Sequence, residues 1–408
     1  MEEKGKVMTD EATVRRFTRR DFLKFGGQGA LVLLAGGAIG GGFAGRFPGP
    51  ANAQIQDVRV RLAATDGYIE TPDGETHYIF GFTNKVVVPP SVPNRRVMGY
   101  IARHYKGRAR MTAPNLVASE GQHLYVTLTN LGLNVRPDLD DSHTVHYHGF
   151  PNAIPLFDGG APDQTFAVPA HRNFTYFYNL REPGTYPYHC HFEDVEHIQM
   201  GMVGTIIIRP AQGPDYAYND ASTRFDREYV MFITEMDPRI HRRLETVQES
   251  QTDWSAYNPS YWLLNGRAYP DTLKDNDDPS LPHQPVSSLI KANSGESVLL
   301  RFNSLGYQEH AIEAPGLSFR VVGQDAKLLR GTDGTDLTYY KDVVNVQPGT
   351  TFDVIFDAPD VSQLTKYELY SRDLQHASNA GSNSPGGIRT EVWVYPAGTL
   401  GPQSGPNQ

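Results

Sequence analysis

The stretch YHCHFEDVEHIQMGM, residues 188–202, holds the only cysteine in 408 residues. Cys190 is flanked by His189 and His191, and His197 and Met202 follow within the same run. If the run begins as a strand, neighbouring side chains point to opposite faces. His189 and His191 then share one face and Cys190 takes the other, so one metal ion cannot easily hold all three. An earlier run, HTVHYHGF from His143, divides in the same way. His146 and His148 share a face, and His143 has the opposite parity.

Two ligand sets follow from this parity. Cys190, His143 and His197, with Met202 as a weak thioether, form a His₂Cys set of the kind that suits a blue-copper centre. Met202 is preferred to Met200 because Gly201-Met202 immediately precedes an expected strand. His146, His148, His189 and His191 form an all-imidazole set suited to copper, zinc or iron. A structural zinc site competes poorly, because such sites usually contain several cysteines.

The surrounding chain reads as all-β. Twenty-two tyrosines, 39 glycines and 29 prolines favour short strands separated by turns. Two segments match at a constant offset: VASEGQHLYVTLTNLG (residues 117–132) and KANSGESVLLRFNSLG (291–306). Gly201–Gly213 likewise matches Gly387–Thr399. The expected architecture is two tandem Greek-key β-sandwich domains, over 55–212 and 224–400. A Pro/Gly/Asp-rich linker is expected over 213–223, with a disordered tail at 401–408. A single cysteine excludes an intrachain disulfide.

The first 53 residues are set apart from this fold. Arg19-Arg20, Phe22-Leu23-Lys24, a Gly/Ala/Leu run and Ala51-Asn52-Ala53 resemble a cleaved twin-arginine export signal. The competing reading is an N-terminal membrane anchor, but the run is short and glycine-rich. Export implies a periplasmic or extracellular protein with no stable membrane span after cleavage. Removal leaves 29 Lys and Arg against 41 Asp and Glu. That acidic balance argues against nucleic acid and anionic membranes as partners.

The paired clusters resemble those of the multicopper oxidases, laccase-like enzymes built from cupredoxin domains. The resemblance implies copper as cofactor, with His143, Cys190, His197 and Met202 as type 1 ligands. His146, His148, His189 and His191 would be one domain's half of a trinuclear (type 2/type 3) copper cluster. Electrons would come from a small-molecule donor or redox protein and pass to O₂. Two-domain relatives assemble as trimers, which implies a homotrimer here. Copper nitrite reductases are similar too, but their motif lacks the second histidine of HCH, so His191 favours the oxidase side. Asp158, in PLFDGGAP, falls where the family often places an acid near the oxygen site. A catalytic proton relay or outer-sphere role competes there with an ordinary Asp-Gly turn.

The second domain departs from the pattern. Where HxxHxH is expected it reads His310-Ala-Ile-Glu313-Ala-Pro315, and Ser371-Arg372-Asp373 stands opposite His-Cys-His. Ile388 stands opposite Met202, so no blue copper is expected there. Glu313, Asp373, His310 and His376 could complete a mixed N/O site with Arg372 as a hydrogen-bond partner, or the domain could be purely structural. Three activities therefore compete: an oxidase, an electron carrier without O₂ chemistry, and reduction of a small nitrogen oxide.

Overall fold

Strand formation follows the alternation visible in the sequence. Along HLYVTLTN (His123–Asn130) the apolar Leu124, Val126 and Leu128 are buried while their neighbours are partly exposed. The computed structural model describes residues 56–139, 141–151, 153–246 and 252–408. In the first half the strands are β1 (Asp57–Glu70), β2 (Thr76–Phe82), β3 (Leu116–Ser119), β4 (His123–Asn130), β5 (His146–Tyr147), β6 (Asn173–Asn179), β7 (Gly184–His189) and β8 (Val203–Arg209). The second half has β9 (Arg227–Met236), β10 (Tyr261–Leu264), β11 (Ile290–Asn293), β12 (Ser297–Ser304), β13 (His310–Glu313) and β14 (Phe319–Gln324). It continues with β15 (Lys327–Leu328), β16 (Tyr339–Lys341), β17 (Val343–Val346), β18 (Thr351–Asp357), β19 (Thr365–Ser371) and β20 (Arg389–Tyr395).

These strands make four sheets, and the order repeats. β2-β1-β4-β6 in the first half corresponds to β10-β9-β12-β18 in the second. Likewise β3-β8-β7-β5 corresponds to β11-β20-β19-β13. The parallel pairs repeat as well, β1 with β4 and β9 with β12, then β3 with β8 and β11 with β20. Each half is a cupredoxin-like sandwich with its own core. Phe80, Leu124, Val126, Tyr176, Tyr188 and Ile206 fill the first; Val298, Phe302, Phe319, Val354 and Val392 fill the second. Residues 55–408 form one compact unit.

Among the described residues, four α-helices lie between the strands: α1 (Val97–Tyr105), α2 (Pro155–Asp158), α3 (Asp194–Met200) and α4 (Pro238–Thr246). Asp194 and Glu196 occupy the first turn of α3, where acids favour the positive end of the helix dipole. The helix stops at Gly201, whose φ of 112° lies in the left-handed region. It thereby delivers His197 and Met202 back towards Cys190.

A buried polar network joins the halves behind β7. Arg301 on β12 donates to Glu228 (2.9 Å) and to Thr185 on β7 (2.8 Å), and faces Asp353 on β18. Arg209 pairs with the same Glu228, and Thr185 and Tyr218 donate to Asp353. Removing one partner from such a buried set strands the remaining charges, at a cost of about 3–5 kcal/mol. The network therefore fixes the strand that ends at His189.

Two expectations need amendment. The tail is ordered: Asn407 accepts from the Val230 amide and donates to the Val230 carbonyl, each at 2.9 Å, and Gln403 pairs with the backbone of Glu228. It satisfies the part of β9 that the short β10 leaves uncovered. The strands at the histidine clusters are also shorter than expected. β5 spans only two residues and β7 ends at His189, so Cys190 and His191 lie just beyond it. The export signal expected over 1–53 lies outside the described residues. Among those residues no helix is long and apolar enough to cross a membrane.

Candidate metal centres

The first cluster forms where α3 returns to the end of β7. Cys190 Sγ lies 3.2 Å from His197 Nδ1 and 3.8 Å from His143 Nδ1, and all three residues are buried. Such separations fit one ion held at about 2.0–2.3 Å by each donor. The Cys190 amide donates to the Met202 carbonyl and the Met202 amide to the His197 carbonyl, so the methionine backbone closes the loop around the thiol. The Met202 side chain is buried in the same core. The Thr144 N–H donates to Sγ at 3.3 Å, while Thr144 Oγ1 accepts from the His191 amide.

Burial acts in opposite senses on the donors, keeping the imidazoles neutral and the thiol protonated. Burial pushes the Cys190 thiol up to about 12, so an incoming cation must displace a proton. Burial lowers His197 to about 3 and holds His143 well below the usual imidazole range, leaving both neutral. The Nε2 atoms of both rings are buried without a hydrogen-bond partner. His197 Nε2 lies 3.8 Å from the exposed Glu193, and Asp141 joins them in a second potential group. Burial, then Asp141 and Glu193, push the nearby Glu196 carboxyl up to about 8.

The second cluster forms on the other side of the chain. His146 and His189 are opposite each other in the β5–β7 ladder. Nδ1–H of His146 donates to the Asp158 carbonyl (2.8 Å), and that of His189 to the Cys190 carbonyl (2.7 Å). His148 and His191 donate to the carbonyls of Gly349 and Ala161, each at 3.3 Å. With every Nδ1 carrying its proton, the Nε2 lone pairs are free for a metal. His148 Nε2 and His189 Nε2 are only 2.8 Å apart, where two lone pairs repel unless they share a cation. Two ligands at about 2.0 Å and a right angle from one ion have this separation. His191 lies beside the group, its ring centroid 4.8 Å from that of His146.

A cavity of about 670 Å³ opens onto these rings, lined by His146, His148, Asp158, Gln164, Asp325 and Thr351 among others. Asp158 ends α2, with Oδ2 3.3 Å from His146 Nδ1. The following Gly159 has φ of 77°, and a Cβ there would meet the Val145 carbonyl oxygen at 2.1 Å. The Asp-Gly pair is thus both a turn and a contact to the cluster.

The second-half residues pair among themselves. His310 Nε2 meets the buried Glu235 at 2.6 Å, His376 stacks on Trp262, and Asp373 lies 3.3 Å from His376. Arg372 pairs with Glu313 at 3.5 Å. Among the described residues, no potential metal group within this chain includes any of them. Sequence reasoning did not find Thr144, Gly349, Ala161 or Gln164 as site residues. Thr144 was accessible as the neighbour of His143; the two carbonyls carry no side-chain signal, and Gly349 is 201 positions from His148.

One pH effect arises behind α3. His241 is buried, with Nδ1 2.6 Å from the Tyr78 carbonyl and Nε2 3.2 Å from Gln199, and burial lowers it to about 4. The unfolded chain binds this proton at about 6.5, so the contribution is complete above that pH and fades as pH falls towards 4. It amounts to roughly 3 kcal/mol. Urea midpoints of the metal-free protein should fall between pH 7 and 4, and His241→Gln should flatten that slope.

Comparison with known proteins agrees with this geometry. Residues 107–213 match a family model described as Multicopper oxidase. The Copper resistance protein A homolog of Pseudomonas syringae pv. tomato is 25% identical over 293 residues, covering 64% of this chain and 46% of that protein. The chain thus spans about half the length of the curated relatives it matches. Among solved structures, the Blue Copper Oxidase from Nitrosomonas europaea superposes with a TM-score of 0.63 at 20% identity, covering 83% of this chain and 86% of that one. A copper nitrite reductase from the same organism gives 0.57 at 16% identity, covering 86% and 98%. The matched segment holds every residue of both histidine clusters, and the chain therefore carries a multicopper oxidase family domain.

Proposed function

We propose that this protein is a laccase-like, copper-dependent oxidoreductase that uses O₂ as acceptor. One observation carries the reading: Cys190 Sγ approaches His143 and His197, while the neighbouring His189 approaches His148 and His191 lies beside His146. Copper, when bound, would supply the one-electron chemistry, drawing electrons from a donor at the first set and delivering them to O₂ at the second. His143, Cys190, His197 and Met202 hold the type 1 ion in this reading. His146, His148, His189 and His191 hold the second site. The peptide through Cys190 is the short covalent route between them. Thr144 steadies Sγ and the His191 amide, and Asp158 acts as a positioning residue for His146.

The same reading takes residues 55–212 as the copper-binding domain, 213–223 as linker and 224–400 as a second domain without its own blue copper. It includes export by the twin-arginine route to the periplasm or cell exterior, and a homotrimer. The donor is a small molecule or redox protein. The self-contained pairing of Glu313 with Arg372 and of His310 with Glu235 supports a structural second domain within one chain.

Copper content after full loading, measured with the visible and spin-resonance spectra and O₂ uptake, tests the proposal. More than one copper per chain with donor-dependent O₂ uptake is expected. One copper per chain and no O₂ uptake would instead indicate an electron carrier. Anaerobic turnover of nitrite with no O₂ uptake would favour the nitrite-reductase reading, which the shared fold also accommodates.

A further inference from the structure

The net negative charge hides an uneven distribution. Between Glu75 and Glu120 the chain has no acidic residue and seven Lys or Arg: Lys85, Arg95, Arg96, Arg103, Lys106, Arg108 and Arg110. This charge runs from just before α1 to just after it; the helix buries Ile101 against Val86 and Leu131, while Arg95, Arg96, Arg103 and Arg108 are exposed. The segment then turns inward. The Arg110 amide bonds to the Phe82 carbonyl, and the Met111 amide to the carbonyl of His283.

A cavity of about 350 Å³ forms at that turn, lined by Thr83, Asn84, Tyr105, Arg108, Arg110 and His283, with Pro282 at its wall. His283 is pinned with Nδ1–H donating to the Ala109 carbonyl at 2.6 Å. Arg110 also borders a second cavity of about 320 Å³, shared with Lys85 and Asp277. The Arg108, Arg110 and Lys85 side chains make no hydrogen bond or ion pair among the described residues. Asp277 is the one acid felt at Arg110, whose guanidinium burial pulls below its usual value. A half-buried guanidinium with five idle donors, beside two further cations, is a costly arrangement without an anion.

We propose that this cavity is an anion-binding site for a small carboxylate- or phosphate-bearing molecule, with Arg110 and Arg108 as its principal ligands. The planar guanidinium fork matches either oxyanion in bidentate fashion, and the volume admits a small organic anion. The site is built from residues that neither metal cluster uses, so it does not depend on the oxidase reading. It does adjoin the thiolate centre structurally: Met111, next to Arg110, packs beside Gly201 in the loop that ends at Met202.

Calorimetric titration of the full-length, metal-loaded protein with inorganic phosphate and with malonate tests this. The expected result is one saturable site per chain, with a Kd at or below about 1 mM for at least one probe. Arg110→Gln and Arg108→Gln should each weaken it at least about tenfold. The tighter probe identifies the oxyanion class. Arg59→Gln, which removes an exposed arginine paired with Asp57 elsewhere, should leave the affinity unchanged. If Arg110→Gln fails to fold, the exposed Arg108 decides alone. No saturable binding of either probe, or equal binding in the arginine variants, overturns the proposal.

Discussion

Cys190→Ser should abolish the intense visible absorption of the copper-loaded protein and reduce donor oxidation at least about 100-fold. Loss of an outer-sphere partner of a metal ligand already costs 10–100-fold, so loss of the ligand itself should cost no less. Serine matches cysteine in shape and its hydroxyl can accept the Thr144 N–H that now reaches Sγ at 3.3 Å. It cannot become an anion under the conditions in which a cation displaces the thiol proton. The melting temperature of the metal-free variant should therefore change little, because the side chain stays within the core of Tyr188, Met200 and Met202. Copper at the imidazole set should persist. A variant that keeps both its colour and its turnover would remove Cys190 from the centre.

His189→Ala should give the complementary result. The blue absorption should survive while copper per chain falls and O₂ uptake drops at least about 100-fold, by the same comparison with outer-sphere losses. His189 is buried and shares its metal-facing nitrogen with His148 at 2.8 Å, so its removal dismantles the closest pair in the set. It projects away from Cys190 Sγ, which approaches His143 and His197 instead. His146→Ala, at a partly buried position with 17% of its side chain exposed, checks that the effect is not peculiar to His189. Variants with unchanged O₂ uptake and copper content would remove these histidines from the O₂-reducing site. The two substitutions together separate electron entry from O₂ reduction.

The structure brings His143, Cys190 and His197 close together, and His146, His148 and His189, as the parity argument groups them, although its premise was only partly met. β7 ends at His189, so Cys190 and His191 are not strand residues. Thr144 holds both residues from the facing segment, its N–H on Cys190 Sγ and its Oγ1 on the His191 amide. The matched segments 117–132 and 291–306 proved to be equivalent strand pairs, β3–β4 and β11–β12, in sheets of equal order. The tail was misjudged because its Gly, Pro and Gln residues have no apolar pattern. It is held by side-chain amides against open backbone groups of β9, a demand that arises only once β10 proves short.

Residue type and period were enough for the all-β class, the repeated strand order and the grouping of the His and Cys residues into two candidate sets, since local alternation and the chemistry of imidazole and thiolate do not depend on distant contacts. Long-range packing was needed to place the Gly349 carbonyl on His148, to lock Arg301 between Glu228 and Thr185, and to turn His310 towards Glu235. It also gathered Arg108, Arg110 and His283 around one cavity. Backbone carbonyls look alike in every sequence, and a buried charge acquires its partner only when separate strands meet. For the stretch from Tyr188 to Met202, the sequence therefore distinguished two candidate sets of side chains, and the fold supplied what holds each of them in place.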